Sequence, residues 1–159
     1  MLVTLIFGGN QGDRKALLDE AIKEMSSIGK IEIRSSLYET APWGFESENS
    51  FYNQIVVYNT ELTPEEVLDK CQATEKQLGR VRTGTQFSSR TIDIDILFCD
   101  SRIIDTPRLT VPHPRMAQRN FVLYPLNEIM PDFIHPVLGK KISELLLESP
   151  DTLKTEVIR

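Results

Sequence analysis

Two kinds of hydrophobic periodicity follow one another in a set order along residues 2–98, and this order restricts the fold more than any other feature of the chain. Short apolar runs or a two-residue alternation are typical of β-strands, and apolar residues spaced by three and four are typical of amphipathic helices. The order is strand 2–7, helix 14–28, strand 31–37, strand 51–60, helix 64–78 and strand 91–98. It predicts an α+β, ferredoxin-like βαββαβ fold, with an antiparallel sheet that carries both helices on one face and leaves the other face open.

Residues at the helix boundaries support this interpretation. Asp13 is a suitable N-cap for the first helix, and Gly29 is expected to end it. The second helix begins at Thr63-Pro64-Glu65-Glu66, which combines a capping box with proline at the first helical position. C-terminal helices are expected at 118–129 and 142–147. Because the length suits one folding unit, residues 1–159 are predicted to form a single domain.

The composition excludes several classes of protein. No apolar run approaches the roughly 18 residues of a membrane-spanning helix, and the N-terminus lacks the features of a secretion signal. We therefore expect a cytoplasmic protein that does not bind membranes. Separately, we expect it to act as a monomer. Cys71 and Cys99 form no metal or redox motif and are expected to be core residues. A net charge of −5 argues against general nucleic-acid binding.

Arginine is concentrated in one quarter of the chain. Residues 80–119 contain seven arginines and four aspartates but neither lysine nor glutamate, although lysine is common elsewhere. Guanidinium groups bind phosphate through paired hydrogen bonds, so this distribution favours a small polyphosphate ligand. The alternative is a chance cluster on a solvated surface.

Asp93 and Asp95 lie two residues apart in the strand 91–98. Alternate residues of a strand share a face, so both carboxylates project from one side, roughly 6–7 Å apart along the chain. A divalent cation would relieve their repulsion, and Mg²⁺ prefers hard oxygen ligands together with bound phosphate. The alternative is two ordinary aspartates on a solvated face, and the neighbouring arginines favour the metal site.

Two other titratable residues have ambiguous positions. Glu75 lies on the apolar stripe of the second helix, where it would hold a ribose hydroxyl or an arginine, or else extend its carboxylate to water. His113 lies between Pro112 and Pro114, where it would contact a phosphate or make a structural hydrogen bond. Sequence spacing does not separate these alternatives.

Three aromatic residues and an amide have the chemistry to bind a flat heterocycle. Phe51 and Asn53 share a strand face, Trp43 precedes them in a loop, and Phe121 lies further along the chain. Two ring planes and an amide would grip such a ligand. Taken singly, however, each aromatic residue is better explained by core packing.

Several short motifs, in this order, resemble the 6-hydroxymethyl-7,8-dihydropterin pyrophosphokinase family over essentially the whole chain. They are Gly8-Gly9-Asn10-Gln11-Gly12-Asp13, Tyr38-Glu39-Thr40-Ala41-Pro42-Trp43-Gly44, Phe51-Tyr52-Asn53-Gln54, Leu78-Gly79-Arg80-Val81-Arg82, Arg90-Thr91-Ile92-Asp93-Ile94-Asp95-Ile96-Leu97, Leu109-Thr110-Val111-Pro112-His113-Pro114 and Arg119-Asn120-Phe121. The resemblance implies a folate-pathway enzyme that transfers diphosphate from ATP to the hydroxymethyl group of the pterin and releases AMP.

The resemblance also implies roles for individual residues. Asp93 and Asp95 would hold two Mg²⁺ ions, and Arg82 and Arg90 would be catalytic. ATP would be bound by Gln72, Glu75, Arg82, Arg90, Ile96, Thr110, His113 and Arg119. The pterin would be bound by Thr40, Ala41, Trp43, Phe51, Asn53, Phe87 and Phe121. The implied partners are therefore these two small molecules and no nucleic acid.

The chain departs from the family pattern at Gln86-Phe87-Ser88-Ser89, where a basic residue followed by Trp-Gly-Pro is common, so Phe87 takes the lid position of a tryptophan. Two other functions remain to be distinguished. A nucleotidyltransferase would release pyrophosphate, but its Gly-Gly and Asp-x-Asp motifs lie near each other, whereas more than eighty residues separate them here. A non-catalytic module that binds RNA on an open sheet face would need basic strands and exposed aromatic rows, which this sequence lacks.

Overall fold

The computed structural model describes residues 1–41, 50–79 and 92–158. The strands in these ranges are β1 (Leu2–Gly9), β2 (Gly29–Arg34), β3 (Tyr38–Thr40), β4 (Phe51–Thr60), β5 (Asp93–Cys99), β6 (Ile104–Asp105), β7 (Thr110–Val111) and β8 (Thr155–Val157). The helices are α1 (Arg14–Met25), α2 (Pro64–Gln77), α3 (Asn120–Ile129) and α4 (Ile142–Glu148). None of these helices combines the length and the apolar character that a membrane span requires.

Six antiparallel strands form the main sheet, in the order β5-β1-β4-β3-β8, with β2 beside β3 on the same edge of β4. β2 and β3 together replace the single second strand of the sequence prediction, because Ser35 interrupts the pairing between them. The Ser35 N–H donates to the Ile55 carbonyl at 2.8 Å, and its hydroxyl accepts from the Ile55 N–H at 2.9 Å. The predicted antiparallel βαββαβ arrangement is confirmed, and β8 extends it.

One face of the sheet is covered by α1 and α2, as predicted. Alternate side chains of β1, β4 and β5 form a buried cluster with the apolar stripes of both helices, and this cluster includes Phe7, Tyr58, Ile96, Ile22 and Val67. The two cysteines are buried and unbridged, which confirms them as core residues. Burial also raises the pKa of Cys99 to about 11, so its thiol is protonated at neutral pH.

The other face is not open along its whole length, and the sequence-based expectation is wrong in this respect. Val122, Leu123 and Leu126 of α3, with Ile142 and Leu145 of α4, form a second buried cluster with Ile6, Ile55 and Leu97 of the sheet. These strands carry apolar residues on both faces, so each face needs a covering layer to exclude water. Further along the same face, toward Gly8 and Asn53, the side chains become polar.

The capping residues behave as predicted, except at Gly29. The Asp13 carboxylate accepts the Ala16 N–H at 3.2 Å, and Thr63 and Glu66 form the reciprocal capping box. α1 ends at Met25 and is followed by a 3₁₀ turn, whereas Gly29 begins β2 with an extended backbone, φ 163°. A Cβ at Gly29 would lie 1.9 Å from the Asn59 carbonyl oxygen. Glycine is therefore required here by the close approach of β4, and not by a left-handed helix cap.

Candidate active site

Asp93 and Asp95 lie on the same face of the sheet as Asn53, although the residues belong to different strands. Asp93 is paired with Gly8, and Gly8 is paired with Asn53, so the three form one row across β5, β1 and β4. The next row along the strands is Asp95, Ile6 and Ile55. Because neighbouring strands are about 4.8 Å apart, the backbones at Asp93 and Asn53 are separated by roughly 10 Å across Gly8.

Gly8 allows the Asn53 side chain to lie over β1. A Cβ at Gly8 would be only 2.4 Å from Asn53 Oδ1, well inside van der Waals contact. Asn53 is 6% exposed, so its amide has little room to move elsewhere. Sequence analysis placed Gly8 in a motif but gave it no role, because the requirement for glycine arises only when β1 and β4 are paired.

Glu75 is buried at the edge of the sheet, between α2 and β5. It is 4% exposed, and its Oε2 accepts a hydrogen bond from the Ile94 N–H at 3.1 Å. Because β5 is the last strand of the main sheet, its outward main-chain groups need partners from other elements, and Glu75 supplies one. The alternative in which this carboxylate extends to water is therefore wrong, whereas contact with a ribose or an arginine stays a prediction.

His113 lies close to the candidate metal ligand Asp93 and to two arginines. Burial and the charges of Arg119 and Arg115 lower the pKa of His113 below 6.5, and Asp93 acts in the opposite direction. The imidazole is therefore neutral at pH 7. Its Nδ1 accepts the Arg115 N–H at 3.4 Å, so the proton is assigned to Nε2. The His113 N–H donates to the Leu97 carbonyl at 3.2 Å, which attaches this loop to β5.

Aromatic residues from two separate elements face the same end of the sheet. Phe121, near the start of α3, packs against the cluster that contains Ile6 and Ile55 and is itself only partly buried. The Arg119 guanidinium carbon lies 5.7 Å from the centre of the Phe121 ring. Phe51, also partly buried, is paired with Thr40 across β3 and β4. Partial exposure of both phenylalanines is what a ring-binding site requires and what complete core packing would not leave.

Arg14 is a residue near this site that the sequence analysis missed. Its guanidinium donates to the Ser50 carbonyl at 2.8 Å and to the Ser50 hydroxyl at 3.0 Å, and lies 3.9 Å from the centre of the Tyr52 ring. It thereby attaches the start of α1 to the residues on either side of Phe51. No local sequence signal indicates this role, because the partners are more than thirty residues away.

The remaining predicted residues are distributed around these elements. Gln72, Thr110 and Ala41 are exposed. Ile96 has its side chain buried in the core beneath the helices, so it would contact ATP only through its main chain. Arg82, Arg90, Trp43 and Phe87, with the rest of the predicted loop 80–90, lie outside the residues that the structure describes.

Comparison with known proteins decides the family. Residues 4–131 match the family model for 7,8-dihydro-6-hydroxymethylpterin-pyrophosphokinase (HPPK). The chain belongs to the HPPK family. A 2-amino-4-hydroxy-6-hydroxymethyldihydropteridine pyrophosphokinase from Aquifex aeolicus is 40% identical to this HPPK-family chain over 152 residues, which cover 96% of the chain and 93% of the relative. A homologue from Porphyromonas gingivalis with the same name is 41% identical over 139 residues, 85% of the chain and 94% of the relative.

Solved structures of longer proteins contain the same fold. The crystal structure of Plasmodium falciparum HPPK-DHPS with pteroate matches with a TM-score of 0.74 at 20% sequence identity. The match covers 92% of this HPPK-family chain and 42% of that chain, so the chain spans about two-fifths of the two-part protein. At this level of identity the comparison supports the ferredoxin-like fold.

Membership of the HPPK family makes the chain a pyrophosphokinase of folate biosynthesis, with ATP as co-substrate and a pterin as the other small-molecule substrate. The family, the fold class and the class of enzyme predicted from the sequence are therefore confirmed.

Proposed function

We propose that this HPPK-family enzyme transfers diphosphate from ATP to the hydroxymethyl group of 6-hydroxymethyl-7,8-dihydropterin by in-line attack on the β-phosphorus. The hydroxymethyl oxygen forms a bond to the β-phosphorus, the bond from that phosphorus to the oxygen shared with the α-phosphorus breaks, and AMP leaves. The hydroxyl proton passes to solvent or to a phosphate oxygen. The observation that carries the proposal is the row Asp93, Gly8 and Asn53. It puts a proposed magnesium ligand and a proposed pterin-binding residue on one face of the sheet, on the two strands that flank β1.

The chemistry of Asp93 and Asp95 fits magnesium. Both carboxylates are partly exposed, lie on one face and offer only hard oxygen ligands. Within ranges 1–41, 50–79 and 92–158, no group of three or more His, Cys, Asp or Glu side chains is arranged to hold a metal. A pair of carboxylates leaves coordination positions for water and phosphate oxygens, as Mg²⁺ prefers. Bound magnesium, proposed as two ions, neutralises charge on the phosphates and on the group being transferred.

The pterin would lie at the polar end of the sheet face that α3 and α4 partly cover. Phe51 and Phe121 would stack on its two ring faces, and Thr40, Ala41 and Asn53 would contact its edges, with Trp43 and Phe87 completing the pocket. The Asn53 amide both donates and accepts hydrogen bonds, which matches the alternating donors and acceptors on the edge of a pterin ring. Because Gly8 has no side chain, the amide has room to lie over β1, toward the strand that carries Asp93.

ATP would extend along the edge of the sheet formed by β5. Glu75 of α2 reaches this edge through its hydrogen bond with Ile94, and Gln72, Thr110 and the main chain of Ile96 would contact ATP there. Neutral His113 would donate through Nε2 to a phosphate oxygen, and Arg119 would contribute positive charge close by. Arg82 and Arg90 are proposed to stabilise charge on the transferring diphosphate. No protein nucleophile is needed, so the enzyme acts by positioning and by electrostatic stabilisation.

We also propose that residues 1–159 form one domain and that the enzyme is a cytoplasmic monomer. Both buried clusters share the strands of one sheet, because Val3, Leu5 and Phe7 of β1 point into one cluster and Ile6 points into the other. A single sheet with a core on each face is the arrangement of one folding unit.

Product analysis tests the proposed function. The purified chain is incubated with ATP, Mg²⁺ and the dihydropterin, and nucleotides and pterins are separated by chromatography. We expect AMP and the pterin diphosphate in equal amounts, with no AMP when the pterin or Mg²⁺ is omitted. Release of pyrophosphate would instead indicate nucleotidyl transfer, and unchanged ATP would indicate a non-catalytic module.

Substitution of Asp95 tests the metal assignment in the same assay. Asp95→Asn keeps the volume of the side chain but weakens a hard anionic ligand, so we expect turnover to fall by a factor of about 100 or more. Asp105→Asn is the matched control, because Asp105 is exposed on β6 and loses the same charge. Turnover by Asp95→Asn close to that of the control would contradict the assignment.

A further inference from the structure

Residues 149–158, here called the C-terminal strap, connect the two elements that carry the proposed pterin-binding residues. The strap lies beyond residues 4–131, which the family model matches. It begins after α4, passes the start of α3 and ends as β8 on the edge of β3. It therefore contacts both the element that presents Phe121 and the element that presents Thr40.

Asp151 holds the start of α3. Its Oδ2 accepts the Asn120 N–H at 2.8 Å, and its main-chain carbonyl accepts the Asn120 side-chain Nδ2 at 3.1 Å. Its other carboxylate oxygen, Oδ1, accepts the Leu153 N–H at 2.9 Å, so both oxygens are used. A carboxylate at this position also interacts favourably with the N-terminal end of the helix. Asn120 immediately precedes Phe121, so Asp151 controls the backbone from which the Phe121 ring projects.

The Asn120 amide depends on the strap for its orientation. Asn120 is buried, and its Oδ1 has no hydrogen-bond partner within the part of the chain that the structure describes. The main-chain carbonyl of Asp151 can only accept, so the amide nitrogen must face it. Substitution of Asp151 would thus release the Asn120 N–H from the carboxylate, whereas the Asn120 side chain would keep the main-chain carbonyl of residue 151 as its acceptor.

The other end of the strap holds β3. β8 pairs with β3 in a register that places Thr155 opposite Thr40, and the two hydroxyl oxygens are 3.1 Å apart. The Ile158 N–H donates to the Leu37 carbonyl at 2.8 Å, just before β3 begins. Thr40 is buried, and on its other side it is paired with Phe51 of β4. The strap therefore supports the wall of the proposed pocket that β3 and β4 form, at the paired residues Thr40 and Phe51.

We propose that the C-terminal strap sets the separation of the two walls of the pterin pocket, with Asp151 and Thr155 as positioning residues. The proposal rests on the proposed function, because it takes Phe51 and Phe121 as the two stacking rings. The last turn of α3 is joined to the β3 side of the sheet by Glu128, whose carboxylate accepts the Tyr38 hydroxyl at 2.8 Å and the Ser36 N–H at 3.0 Å. The first turn, which carries Phe121, lies at the other end of the helix and meets the sheet through apolar contacts, which are non-directional and allow small shifts. The directional hydrogen bonds from Asp151 and Thr155 restrict such shifts, and a stacked ring is sensitive to them.

Two conservative variants test this proposal in the full-length chain. Asp151→Asn removes the charge and can accept only one of the two main-chain N–H groups, because its second atom is itself a donor. Thr155→Val keeps the shape of the side chain and removes the hydroxyl. Asp132→Asn is the matched control for the first variant, since Asp132 is 86% exposed and loses the same charge. Thr152→Val is the control for the second, since Thr152 is exposed within the strap.

The readout is the fold-change in the KM for the pterin divided by the fold-change in the KM for ATP. We expect Asp151→Asn to raise the KM for the pterin, and its dissociation constant by calorimetry, about tenfold, and Thr155→Val to raise them about threefold. The KM for ATP should change less than twofold, because the strap's hydrogen bonds within the described residues reach the start of α3 and β3, whereas α2, β5 and β7 border the ATP side. A purely structural role would lower the melting temperature without separating the two KM values.

The outcomes separate this proposal from the proposed function. An active wild-type enzyme whose pterin KM is unchanged in both strap variants, or rises equally with the KM for ATP, overturns the positioning role alone. A wild-type chain that neither binds the dihydropterin nor forms AMP overturns the proposed function and, with it, the proposal. If Asp151→Asn does not fold, Thr155→Val decides the result, because it removes only one hydroxyl.

Discussion

Gly8→Ala is expected to damage pterin binding more than its small size suggests. The added methyl group would lie 2.4 Å from Asn53 Oδ1, about 0.6 Å closer than the 3.0 Å that real Cβ contacts rarely fall below. The other nearest atoms, Asn53 Cγ at 3.5 Å and the Tyr52 carbonyl oxygen at 3.6 Å, are at ordinary contact distances. The clash therefore falls on the end of one side chain, and the Asn53 amide has to rotate or shift.

The size of the effect follows from this geometry. Overpacking of a buried position costs about 1–3 kcal/mol of stability, which corresponds to a fall of roughly 2–4 °C in melting temperature for each kcal/mol in a chain of this length. The effect on activity should be larger, because a displacement of about 1 Å in a positioning group lowers rates by about 100-fold. We expect kcat/KM for the pterin to fall between about 10-fold and 100-fold.

A double-mutant cycle with Asn53→Ala isolates the contact. In the Asn53→Ala background the 2.4 Å clash is removed and the Tyr52 carbonyl oxygen remains at an ordinary 3.6 Å, so Gly8→Ala should cost almost no stability there, and the coupling free energy should be about 1–3 kcal/mol. Unfolding in urea gives the four stabilities, and steady-state kinetics with each substrate varied gives the KM values. Gly29→Ala is a contrast, because its clash is with the Asn59 main-chain oxygen at 1.9 Å, far from the site. We expect it to lower the free energy of unfolding while leaving the KM for the pterin almost unchanged.

Two results would refute this reasoning. One is a Gly8→Ala enzyme whose kcat and pterin KM stay within twofold of wild type, which would mean that the Asn53 amide is not fixed by its contact with β1. The other is an additive cycle, in which Gly8→Ala costs the same stability with and without the Asn53 side chain, so that the strain would lie elsewhere.

Three further predictions concern pH, the edge of the sheet and the tryptophan. His135 Nδ1 accepts the N–H groups of Val137 and Leu138 at 3.2 and 3.1 Å, and burial lowers the pKa of His135 below 6.5. The unfolded chain therefore binds the proton more readily, so the free energy of unfolding should fall as the pH drops below 6.5, by at most about 1.4 kcal/mol per pH unit, with a shallower slope in His135→Gln. Equal slopes in urea titrations of the two proteins would contradict this. Glu75→Leu leaves the Ile94 N–H without its carboxylate acceptor and should lower the free energy of unfolding by about 1–3 kcal/mol, whereas Glu75→Gln retains an acceptor and should cost less; equal losses would show that the hydrogen bond contributes nothing. Trp43 is the single tryptophan, so its fluorescence should change when the dihydropterin binds and change less with ATP alone; an unchanged spectrum, with binding shown by calorimetry, would remove Trp43 from the pocket.

Local sequence was sufficient for most of the secondary structure. β4 occupies Phe51–Thr60, the range predicted from its apolar run, and the capping box at Thr63 and Glu66 starts α2 where expected. The common face of Asp93 and Asp95 also needed no tertiary information, because a strand alternates its side chains every two residues. Hydrogen bonds within a helix turn and the pleat of a strand involve near neighbours, so the pattern of the chain is enough to predict them.

The family was also readable from the sequence, for a different reason. The blocks around Gly8, Asn53, Asp93, His113 and Phe121 occur in a fixed order, and together they identify the HPPK family although no single block does. These blocks do not show which of their residues lie next to one another in the fold. The row from Asp93 through Gly8 to Asn53 depends on the register of β1 against both β5 and β4.

Only the tertiary structure decided the environment of the ambiguous residues. Glu75 is buried against Ile94, the pKa of His113 is lowered by Arg119 and Arg115, and the face predicted to be open is covered by α3. Asp151, 31 residues from its partner Asn120, carries no local signal at all. Burial, charge and pairing at these positions come from segments distant in the chain, and a local pattern of apolar and polar residues does not encode which distant segments will be in contact.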